Sequence, residues 1–136
     1  MLERTSLVTL IGVADPANWT AINNSLENGY PSNVGMQHFV RPDLLPESAE
    51  LTESSSESEQ GRLITYTIRV RLPRESTLHQ TFQKKNAVVC LETLNGERYL
   101  IGNRDHPMKM EYTRSSGMTI GDSNDTELTL TGSYPL

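Results

Sequence analysis

The chain has 136 residues, of which 35% are hydrophobic, with a net charge of −5 and a single cysteine, Cys90. That length allows one domain that buries roughly two-thirds of its unfolded surface without metals or disulfides. It excludes an internal disulfide, and no apolar run approaches the ~20 residues of a membrane-spanning helix.

The charge is uneven. Asp43, Glu47, Glu50, Glu53, Glu57 and Glu59 fall between residues 43 and 61 with no Lys or Arg among them, and removing those six from −5 leaves +1. General nucleic-acid binding needs a basic face, which this composition does not provide. The apolar fraction lies below the roughly 45–50% usual for globular domains when Gly is counted, which points to a modest core, long polar loops, or a core completed by a partner. The N-terminal MLERTSLVTLIGV lacks the charged start, long apolar centre and cleavage site of a signal peptide. The expectation is a soluble, intracellular protein with no membrane partner.

Residues 6–13 (SLVTLIGV) read as a first strand. Val8, Leu10 and Gly12 alternate with Leu7, Thr9, Ile11 and Val13, and both faces are mostly apolar, as in a strand covered on both sides or at an interface. Asp15-Pro16 looks like a helix start, with Asp as N-cap and Pro at the first helical position. Trp19, Ile22 and Leu26 then share a helical stripe, and Asn28-Gly29 would close the helix. Its Asn and Thr content leaves a structured loop as the competing reading. Trp19 reads as a packing anchor. Residues 30–35 form a turn-rich connector, 36–40 a short strand, and Pro42 and Pro46 interrupt regular structure.

Residues 51–62 (LTESSSESEQGR) are acidic and serine-rich, and with 43–50 read as a mobile acidic loop over 43–62, too poor in apolar groups to offset ordering entropy. Residues 63–72 (LITYTIRVRL) alternate cleanly. Ile64, Tyr66, Ile68, Val70 and Leu72 lie on one face; Thr65, Thr67, Arg69 and Arg71 lie on the other. One face is core and the other wet. Residues 76–85 read as a short helix or a bridging loop. The next stretch, 87–102 (AVVCLETLNGERYLIG), places two apolar runs around Asn95-Gly96, which predicts a hairpin with a two-residue type I′ turn. A turn over 103–107 (NRDHP) leads to a strand over 108–112, turns around 118–120, and a closing strand over 126–132. The expected fold is mainly β (or α+β): an antiparallel β-sandwich or partly open barrel of six to eight strands with one or two short helices, forming one domain over 1–136.

Chemistry is sparse. His38, His79 and His106 are 41 and 27 residues apart, a spacing that matches no metal motif. Asp105 beside His106 could be half of a catalytic pair, but no nucleophile is marked nearby and a hydrogen-bonded turn is the expectation. Cys90, flanked by Val88, Val89 and Leu91, reads as a small buried hydrophobe. Residues 121–125 (GDSND) have calcium-ligand types without the twelve-residue register of an EF-hand, so a polar turn is expected. No phosphate loop or hydrolase motif is present. Arg69 and Arg71, the acidic Glu53, Glu57 and Glu59, and Arg104 remain as candidate interface residues. No catalytic residue, cofactor or metal ligand is assigned.

The order of an alternating strand (63–72), an apolar strand into Asn95-Gly96 with Tyr-Leu-Ile-Gly to Gly102, a charged turn to Pro107, a Thr-Arg-Ser-x-Gly turn (113–117) and a short closing β segment resembles small uncharacterised proteins encoded among the tail-assembly genes of tailed bacteriophages and prophages. The resemblance covers about the C-terminal half. It implies a non-enzymatic structural or assembly protein of a tail or head–tail joint, a homo-oligomer that binds copies of itself or neighbouring tail proteins. The alternatives are a small intracellular β-barrel module for a ligand or partner and, third, a small enzyme using His106, Asp105 or Cys90.

Overall fold

The computed structural model describes residues 2–41, 49–59, 61–72, 86–114 and 126–135. Among them the strands are β1 (Leu2–Ala14), β2 (Leu26–Glu27), β3 (Tyr30–Pro31), β4 (Glu50–Ser58), β5 (Gly61–Leu72), β6 (Asn86–Thr93), β7 (Arg98–Ile101), β8 (Met108–Arg114) and β9 (Thr126–Pro135), with short helices α1 (Trp19–Asn24) and α2 (Asn33–Met36). The fold is mainly β and antiparallel, as the strand patterns predict. Seven strands run in the order β1-β4-β5-β9-β8-β6-β7, and β1 also pairs with β6, so the sheet curls back towards itself. It is not sealed into a barrel. β6 meets β8 only at Asn86–Lys109 and Ala87–Met108.

Strand periodicity explains the core. Ser6, Leu51, Ile68, Leu130 and Met110 form one registered row across β1, β4, β5, β9 and β8, and all five are buried. Ala87, Val89 and Leu91 of β6 join the same cluster. β1 serves both halves of the curl: Leu2 to Leu7 pair with β4, and Val8 to Ala14 pair with β6. A register shift between Val8 and Leu10 resets the alternation. Val8, Ile11 and Val13 therefore all enter the core, although strict alternation puts Val8 opposite the other two. This bulge, together with cover on both sides, is why both faces of 6–13 are apolar.

The second cover is the excursion over residues 15–41. Asp15 Oδ1 accepts the Ala17 N–H at 2.9 Å and caps a single 3₁₀ turn at Pro16–Asn18, and α1 follows directly. The helix stops at Ser25, short of the predicted stripe; Ser25 Oγ bonds back to the Ile22 carbonyl at 2.7 Å. Leu26 falls in β2 instead. Asn28-Gly29 is no helix cap but the turn of the β2–β3 hairpin, with φ of 53° and 77°. Residues 33–36 are helical, and of the strand expected over 36–40 only a Val40–Val13 bridge forms. Ile22, Phe39, Ala14, Val88 and Cys90 make a second buried cluster, with Trp19 packed against it as expected.

Two further expectations need correction. Residues 50–58 are not a solvated loop but strand β4, paired with β1 on one side and β5 on the other. Leu51 anchors it in the core, and sheet hydrogen bonds supply the ordering that composition alone does not. The hairpin at Asn95-Gly96 exists, but its loop is Leu94-Asn95-Gly96. Gly96 N–H donates to the Thr93 carbonyl at 2.9 Å and Thr93 N–H to that of Glu97 at 2.8 Å. Only Gly96 of the three has positive φ, at 85°. This is a type I turn with a glycine bulge rather than type I′. The Leu94 N–H is drawn instead to the Leu7 carbonyl at 2.9 Å. The readings for 42–48, 76–85 (with His79) and 118–125 lie outside the described residues.

Candidate functional site

Where β7 passes into β8 the sheet splits. Val89 pairs with Ile101 and Ala87 with Met108, so two steps along β6 face seven along the other chain. The excess is looped out over 102–107. The loop carries its own brace: Asn103 Oδ1 accepts the backbone N–H groups of Asp105 (2.9 Å) and His106 (2.8 Å). Arg104 points the other way and donates to Thr20 Oγ1 of α1 at 2.6 Å. Asp105 and His106 are exposed, and their shared anchor is Asn103, the hydrogen-bonded turn expected for 103–107.

Between this loop and the end of β9 lies a cleft of about 350 Å³, lined by Asp105, His106 and Pro107 from the loop, Ser133 and Tyr134 from β9, and Asn86 and Lys109 from the seam. Tyr134 folds back over Gly132, where a Cβ would stand 2.6 Å from its hydroxyl oxygen. The absence of a side chain at Gly132 makes room for the ring tip. That hydroxyl is buried and has no hydrogen-bond partner among the described residues. Burial, and secondarily Tyr66, pushes its pKa up to about 12, so it stays a protonated donor.

The ring continues an aromatic group that fills this end of the curl. Tyr66 meets Tyr99 edge-on with centroids 6.3 Å apart and lies 6.2 Å from Tyr134. Tyr99 donates to Glu97 at 2.9 Å, and the Arg4 guanidinium donates to the same carboxylate. The Arg4 hydrogen bond, then that of Tyr99, holds the Glu97 carboxyl below its usual range. Burial first, and then the bond to Glu97, pushes the Tyr99 phenol above its usual range.

The candidate interface residues do not converge. Arg69 and Arg71 stand exposed on the outward face of β5, opposite Glu50 and Glu127 of the neighbouring strands. Glu53 is registered between Arg4 and Tyr66, on the inward parity. Glu57 pairs with Arg62 at 3.0 Å at the hairpin end, and Glu59 is exposed in the turn. Cys90 is fully buried within 3.9 Å of Met36 Sδ, and burial pushes its thiol up to about 11, as suits a core filler. No group of three metal-ligating side chains occurs among the described residues. Tyr134, Tyr99, Lys109 and Asn86 were not legible as site residues. The nearest signal is Gly132-x-Tyr134, a glycine two positions from an aromatic on one strand face.

No protein-family model, curated protein or solved structure matches this chain.

Proposed function

We propose that the chain is a non-enzymatic structural subunit, of the kind used in a phage or prophage tail or head–tail joint, and that it binds a second copy of itself face to face through the outward side of β1, β4, β5, β9 and β8. The observation that carries this reading is the make-up of that side. One registered row reads Thr5, Thr52, Thr67 and Thr131 across four strands and ends on Lys109 of β8. The next holds Ser54, Thr65 and Ser133, with the last two hydroxyls 2.8 Å apart. On the other flank Glu50, Arg69, Thr129 and Glu111 form a row of mixed charge.

Short hydroxyl side chains lose little entropy when a surface is covered. Mixed charges in rows meet complementary ones when the same face is laid against itself about a two-fold axis. The excursion over 15–41 covers the outward face of β6 and of the second half of β1, away from these rows. The resemblance of the C-terminal half to tail-region proteins supports the same reading.

Sedimentation velocity over a concentration series tests it. Association should raise the mass above the 15.2 kDa of one chain as concentration rises. A single species of one-chain mass at every concentration contradicts self-assembly.

A further inference from the structure

We infer that the cleft between the 102–107 loop and the end of β9 binds a small, uncharged polyhydroxyl molecule, a saccharide unit. This goes beyond the assembly reading and does not rest on it, although Ser133 and Lys109 belong to both surfaces. Three observations lead there. First, the cleft has a structural cause and a fixed shape. It sits where five extra residues force β7 and β8 apart, and its outer wall is held by the paired bonds to Asn103 and by Arg104 on Thr20. At about 350 Å³ it lies at the small end of ligand sites.

Second, the lining matches a sugar better than an ion. Lys109 offers donors only, and the Asp105 carboxylate offers acceptors only. Asn86 and Ser133 offer both, and each sugar hydroxyl needs both. The opposite charges of Lys109 and Asp105 oppose a bare anion and a bare cation alike. Pro107 and the Tyr134 ring supply the apolar surfaces on which the C–H face of a pyranose rests.

Third, a residue of the lining carries an unspent donor. Tyr134 carries a buried hydroxyl with no partner among the described residues, and such a group gains most from a ligand oxygen that reaches it. The oxygen lies 3.5 Å from where a Cβ on Gly102 would stand, at the very start of the looped-out segment.

The test is an NMR amide titration of the full chain with glucose, galactose, mannose and N-acetylglucosamine, and separately with sodium phosphate. At least one sugar should give saturable shifts confined to the amides of residues 86, 103–106, 108–109 and 133–134, with a Kd of about 1 mM or tighter. Asp105→Ala and Lys109→Ala should each weaken it about tenfold and leave the remaining spectrum intact, because the loop uses the backbone N–H of Asp105 and Lys109 is exposed. No saturable shift with any sugar overturns the inference. So do shifts that follow phosphate in place of sugar, or sugar binding that survives both substitutions.

Discussion

β5 and β6 belong to one curled sheet and are covered differently. β5 buries Ile68 and Val70 and leaves Arg69 and Arg71 in water, so its sequence alternates. β6 buries Val89 and Leu91 on the inside and Val88 and Cys90 beneath the 15–41 excursion, so its sequence is a continuous apolar run. A strand with two covers is scaffold, and its single thiol is spent on packing. A strand with one cover presents a surface. The difference directs the search for function to the outward rows around β5 and to the split beside β8, away from the hairpin at 94–96.

The comparison can be broken most sharply by placing the same charge on each strand's outer face. Cys90→Asp puts a carboxylate beneath the excursion and should cost at least about 3 kcal/mol in denaturant unfolding, enough to unfold a marginal chain. Leu91→Ala, on the inner face of the same strand, should cost about 2–5 kcal/mol. Gly132→Ala should cost about 1–3 kcal/mol by driving a methyl against the Tyr134 hydroxyl, and the Tyr66–Tyr134 contact should be lost from the near-ultraviolet spectrum.

Alkaline pH should act more gently. Cys90 and Tyr134 have acids raised to about 11 and about 12 in the folded chain, above their unfolded values. Their contribution is complete below the unfolded pKa and falls as pH rises through the folded one. The melting temperature should therefore decline above about pH 9, and Cys90→Ala should flatten the first part of that decline. Thr67→Asp on the open face of β5 should change stability by no more than about 0.5 kcal/mol. Equal costs for Cys90→Asp and Thr67→Asp would erase the distinction between the two strands.

Much of the sheet could be read in advance, because alternation in 63–72 and unbroken apolarity in 87–91 report one cover and two. The errors have separate physical causes. β4 was hidden because a strand between two neighbours is held by backbone bonds, and Leu51 is its one residue anchored in the core. The faces of β1 were mixed by the shift between Val8 and Leu10, which leaves no mark in composition. The two Asn-Gly pairs exchanged roles. The one expected to end a helix makes the turn with two positive φ values, and the one expected to make that turn closes a wider loop. Neighbours decided both: Ser25 ended α1 early, and Leu7 captured the N–H of Leu94. The cleft was least legible, since it joins residues 86, 105–107, 109 and 133–134 through a register offset that only pairing reveals.

The central claim is that copies of the chain meet through the outward rows, and light scattering on a matched pair of variants tests it most directly. Thr67→Arg with Thr131→Arg puts two long cations in the hydroxyl row; Asn24→Arg puts one at an exposed position of α1, over β6 and away from that row. The account predicts that the wild type and Asn24→Arg associate equally while the double variant stays at 15.2 kDa, with a melting temperature equal to that of the wild type at concentrations where both are monomeric. Association of the double variant to the same extent as the wild type, or a wild type that is monomeric throughout, would contradict it.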